Sequence, residues 1–126
     1  MRVRSVNHVS LPVRDLDRSL AFYRDFLGLA QVPRPDFPMA GAWLGVGDAQ
    51  VHLIVTPEGL EVDQPAPSLS PLASHLALTV DDYAEALGCV RERELEVIET
   101  TPEIGQLWVR DPDGHVIELI TATARR

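Results

Sequence analysis

Four side chains in this sequence carry metal chemistry: His8, His52, His75 and Glu118. Three imidazoles and one carboxylate offer nitrogen and oxygen donors, a set suited to Zn, Ni, Co, Mn or Fe(II). Glu118 sits in Val116-Ile117-Glu118-Leu119-Ile120, apolar on both sides. A carboxylate in such a strand is costly unless it is paired or metal-bound, and the pattern places no Lys or Arg to pair with it. A single histidine on a strand is more often structural than a ligand. Four metal-competent groups at repeat-related positions are much less expected by chance, and a shared metal site stands as the functional alternative to separate structural roles. His115, after Gly114, has no counterpart in the pattern and reads as a solvated loop residue. Cys89 is the only cysteine, which excludes an intrachain disulfide and a thiolate zinc cluster. It reads as a small buried filler in a helix.

The elements that must position these groups occur twice. Val6-Asn7-His8-Val9-Ser10-Leu11-Pro12-Val13 matches Ala73-Ser74-His75-Leu76-Ala77-Leu78-Thr79-Val80 at an offset of 67 residues. Asp15 and Asp82 share that offset, and Val51-His52-Leu53-Ile54 matches Ile117-Glu118-Leu119-Ile120 at an offset of 66. Two copies are too few for a solenoid and read as one supersecondary unit packed by pseudo-symmetry. Side chains alternate faces along a strand. Val9, Leu11 and Val13 form an apolar row, so His8 and Ser10 face the other way. The same parity sets His52, His75 and Glu118 opposite the apolar rows of their strands. With a helix over each apolar row, the four polar groups share the open face of a curved sheet.

Each copy reads as βαβββ. The first has a strand near 5–13, a helix near 16–27 and strands near 29–33, 41–46 and 49–56. The helix carries the stripe Leu16, Leu20, Tyr23 and Leu27, with Asp15 as N-cap and Gly28 as its stop. The second has a strand near 73–80, a helix near 83–93 and strands near 95–99, 105–110 and 115–121. Its helix stripe is Tyr83, Leu87 and Val90, behind a capping-box-like Asp82 and Glu85. Asp111-Pro112-Asp113-Gly114 is a strong turn signal. The expected fold is α+β, one domain over 1–126, with module 1 at 5–56, a proline-rich linker at 57–71 and module 2 at 72–121.

The net charge of −8, with no basic run, argues against nucleic acid and anionic membranes as partners. It suits metal cations and small neutral or carbonyl-bearing ligands. No stretch is apolar enough to span a bilayer, and the N-terminal residues lack a signal-peptide core, so a cytoplasmic protein is expected.

The run from His8 through Leu16, then Ser19-Leu20-Ala21-Phe22-Tyr23 and Leu27-Gly28-Leu29, resembles the opening module of the vicinal oxygen chelate superfamily, which groups glyoxalases, bleomycin-resistance proteins and ring-cleavage dioxygenases. Val51-His52-Leu53-Ile54 resembles its fourth strand, His75 through Asp82 its second opening, and Asp111 through Leu119 its most specific segment. The resemblance implies paired βαβββ modules with pseudo-twofold symmetry, forming a curved mixed-sheet cup covered by helices around a divalent metal. The ligands it implies fall on His8, His52, His75 and Glu118. His52 stands where glyoxalase I relatives usually carry Glu or Gln and epimerase relatives carry Gln.

The chemistry so implied is bidentate chelation of a small substrate with adjacent oxygens, a lyase or isomerase reaction through a stabilised enolate. Glu118 is then both ligand and catalytic base. Two rivals stand beside it. An Fe(II) ring-cleavage dioxygenase would use His8, His75 and Glu118 with His52 off the metal. A metal-free resistance protein would bind a drug or toxin. Pocket walls are assigned to Ser10, Trp43, Trp108 and Arg110, with core packing an equal alternative for the two tryptophans; Arg34 and Arg110 are candidate receivers of a substrate carboxylate against a default of solvated surface. Relatives of this size imply a homodimer, with a site formed either within one chain or by joining His8 and His52 of one chain to His75 and Glu118 of the other.

Overall fold

A computed structural model describes residues 1–122. The chain divides into two compact units, the first Met1–Gln64 and the second beginning at Pro65. The first contains β1 (His8–Val13), α1 (Leu16–Leu20), a π-helical segment (Ala21–Phe26), β2 (Ala30–Val32), β3 (Gly41–Val46) and β4 (Ala49–Val55). The second contains β5 (His75–Val80), α2 (Tyr83–Glu92), β6 (Ile98–Glu99), β7 (Gln106–Arg110) and β8 (Val116–Thr121). Each unit is therefore βαβββ, and the chain is α+β with two four-stranded mixed sheets. The strand orders are β1-β4-β3-β2 and β5-β8-β7-β6, with β1 parallel to β4 and β5 parallel to β8.

Alternation along the strands sorts core from site. In the first unit Leu11, Val13, Ala42, Leu44, Val51 and Leu53 are buried on the side where α1 contacts β3 and β4. In the second, Leu78, Leu107, Val109, Ile117 and Leu119 are buried, together with Tyr83 and Val90 of α2, which contacts β7 and β8. Both helix starts are capped as expected: Asp15 accepts from the Arg18 amide at 3.0 Å, and Asp82 from the Glu85 amide at 2.8 Å.

The first helix departs from the single stripe read from the sequence. It begins as α-helix and continues from Ala21 as π-helix, with the Leu27 amide donating to the Phe22 carbonyl at 2.9 Å. The wider turn changes the phase of the buried face. Phe22 and Tyr23 are adjacent yet both buried, while Leu16 and Leu27 remain partly exposed. Gly28, at φ 77°, then takes the left-handed conformation that ends the helix.

Other expectations are corrected. Cys89 is exposed rather than buried, because it lies one position off the α2 stripe that turns Val90 inward. His115 is half-buried rather than solvated. Its amide donates at 2.8 Å to Asp111 Oδ1, which also accepts from the Asp113 amide at 2.9 Å. Pairing in the first strand begins at His8 rather than residue 5, and β6 is only two residues long. The proline-rich stretch contributes to a core: Leu69 packs with Trp108 and Val116 in the second unit. No helix among the described residues is long and apolar enough to cross a membrane.

Candidate metal centre

In the first unit, β4 runs between β1 and β3 and sets the geometry. His8 lies against Gln50, Ser10 against His52, and Trp43 against His52. Period-two alternation puts these side chains on the face away from Leu11, Leu44 and Leu53. The His52 ring is sandwiched: Trp43 stacks on it at 4.2 Å with a 5° interplanar angle, and His8 at 4.0 Å with 15°. His52 Nε2 lies 2.8 Å from Gln50 Oε1, and His8 Nδ1 lies 2.7 Å from Asn7 Oδ1. Amide oxygens accept, so those ring nitrogens donate. Burial pushes the His52 pKa below the usual imidazole value, and neighbouring His8 and Arg34 push it further. A neutral imidazole is the form that binds metal.

The second unit repeats this register with different chemistry. Ala77 and Trp108 lie against Glu118 as Ser10 and Trp43 lie against His52. Glu118 is only 2% exposed. Its Oε1 lies 2.9 Å from His75 Nε2, and its Oε2 accepts from Gln106 Nε2 at 3.0 Å. His75 Nδ1 lies 2.7 Å from the Ala73 carbonyl and must donate there. His75 thus engages both ring nitrogens, one toward the Ala73 carbonyl and the other toward Glu118.

The strand pattern placed no Lys or Arg beside Glu118; the structure gives it His75 and Gln106 as partners. Gln106 was missed by the sequence reading. Its signal was parity: it lies two residues before Trp108, on the same face of β7.

The assigned pocket residues divide. Ser10 and Trp43 line a cavity of about 680 Å³ in the first unit, with His8, His52, Gln50 and Arg34. Trp108 is buried at 8% exposure against Leu69 and Val116, which makes it core of the second unit. Arg110 is held by Glu96 at 2.8 Å. The structure pairs His8 with His52, and His75 with Glu118, each pair within one unit. Among the described residues, no three of His, Cys, Asp and Glu form a group that could hold a metal ion. The donors nevertheless fit a divalent cation in kind: imidazole nitrogens and a carboxylate sequestered from water.

A family model described as the Glyoxalase/Bleomycin resistance protein/Dioxygenase superfamily matches residues 5–119. The lactoylglutathione lyase of Salmonella typhimurium is 32% identical over 129 residues, covering 91% of this chain and 90% of that protein. The metallothiol transferase FosB of Staphylococcus epidermidis is 28% identical over 134 residues, covering 99% of this chain and 87% of its own. A crystal structure of a putative glyoxalase family protein from Bacillus anthracis superposes with a TM-score of 0.77 at 23% identity, covering 96% of this chain and 97% of that one.

Proposed function

The chain belongs to the Glyoxalase/Bleomycin resistance protein/Dioxygenase superfamily, and on that premise we propose that it is a divalent-metal-dependent lyase or isomerase acting on a small substrate with adjacent oxygens. The observation that carries this reading is Glu118: a carboxylate buried to 2% exposure, touching an imidazole, at the repeat position equivalent to His52. Isolating a carboxylate this way is costly unless a cation or proton compensates it. The similarity to lactoylglutathione lyase supports the same reaction class.

In this reading His8, His52, His75 and Glu118 hold the ion, and Zn, Ni, Co, Mn or Fe are all compatible with the donors. When bound, the ion supplies Lewis-acid stabilisation of negative charge on the substrate oxygens. Glu118 takes and returns the substrate proton, with Gln106 fixing the carboxylate through Oε2. Trp43 walls the pocket and holds His52 in plane, while Ser10 lies beside His52. The complementary donor pair comes from the second copy of a homodimer. In support of that arrangement, β1 and β5 are each an edge of their own sheet, with His8 and His75 exposed on them.

The test is metal removal. Protein treated with a chelator should lose about a hundredfold or more of its activity and recover it with added divalent ion. Glutathione hemithioacetals, CoA thioesters and catechols form the substrate screen. Full activity after chelation would defeat the proposal.

One feature favours a second reading. The His52–Gln50 contact and the ring stack are suited to keeping His52 off the metal. That would leave His8, His75 and Glu118 as a two-histidine, one-carboxylate face for Fe(II). Oxygen uptake with catechols would select this reading over the first.

A further inference from the structure

We propose that Arg34 is the specificity residue of the first-unit cavity and selects substrates carrying a carboxylate remote from the adjacent oxygens. The proposal rests on the functional reading above and adds to it the class of substrate. Arg34 lines the same cavity as His8, His52 and Trp43. Its guanidinium is held in place by uncharged groups: Nη2 donates to the Met39 carbonyl at 2.9 Å, and Cζ lies 4.9 Å from the centre of the Phe37 ring. Gly41 packs beside it: a Cβ there would collide first with the Leu53 backbone carbonyl and would also stand 3.1 Å from Nη2.

No carboxylate among the described residues pairs with Arg34, although the chain carries a net charge of −8 and Asp48 lines the same cavity. Its Nε is buried without a hydrogen-bond partner. Guanidinium presents a planar fork of donors that matches a carboxylate in two-point contact. Arg34 therefore offers a pinned, unneutralised cation in the cavity that carries two of the proposed metal ligands. Phe37 and Met39, each about half exposed, form an apolar lip beside it.

The probes are 3,4-dihydroxybenzoate and its methyl ester, which share adjacent oxygens and differ in one negative charge. Calorimetric titration of the metal-loaded dimer gives the acid-to-ester affinity ratio. Wild type should prefer the acid by about tenfold or more. Arg34→Met, which keeps an unbranched stem beside Phe37, should abolish that preference and leave ester affinity within about twofold of wild type. Arg34→Lys should retain part of the preference. An unchanged ratio in Arg34→Met, or no acid preference in wild type, including no measurable binding of the acid, overturns the proposal. Repeating the titration after metal removal separates the two claims. If affinity for both probes is unchanged without metal, the metal-dependent reading fails while the Arg34 ratio stands on its own.

Discussion

The Glu118→Gln variant is expected to lose turnover by about a thousandfold or more while keeping the wild-type fold. The substitution preserves shape in a position that has almost no solvent, so it creates no cavity. It removes the negative charge and the proton-accepting oxygen together. A neutral amide offers one acceptor where the carboxylate offers two. One of the present contacts, to His75 Nε2 or to Gln106 Nε2, must therefore turn round or be lost. That should cost about 1–2 kcal/mol, visible as a modest drop in melting temperature without loss of cooperativity. Steady-state assay of the metal-loaded variant beside its thermal melt checks both halves. Full activity in a folded Glu118→Gln protein would remove Glu118 from the chemistry.

The second large effect concerns assembly. A His8→Ala/His52→Ala double variant and the Glu118→Gln variant should each be nearly inactive. If each site joins the first unit of one copy to the second unit of the other, a mixed dimer contains one wholly wild-type site. Mixing the two inactive proteins under exchange should restore about a quarter of wild-type activity, because about half the dimers are mixed and each has one good site of two. No recovery, with exchange verified by differently tagged copies, would show that complementary donors do not come from different chains.

The repeat made much of this structure legible. Matching strands around His8 and His75, and around His52 and Glu118, fixed two βαβββ units, and strict alternation fixed which side chains share a face. What the pattern could not express was local phase and pairing. The π-helical turn after Leu20 buries the adjacent Phe22 and Tyr23 together, which no 3.6-residue stripe anticipates. Trp43 and Trp108 occupy equivalent register positions and looked alike in sequence. One stacks on an imidazole in a cavity and the other fills a core, because Leu69 from the proline-rich stretch packs against Trp108. Gln106 was overlooked because a lone glutamine on a strand carries no signal until its cross-sheet neighbour is known to be an isolated acid. Arg110 was assigned to a ligand without Glu96 in view, a pairing made across 14 residues of chain.

The most direct measurement is anomalous diffraction from crystals of the protein loaded with Zn, Ni, Co, Mn or Fe. A single metal peak per site is expected, with His8, His52, His75 and Glu118 donor atoms at about 2.0–2.2 Å from it in the assembled protein. A peak ligated by other side chains, or a metal-soaked crystal with these four groups dispersed and no peak among them, would contradict it.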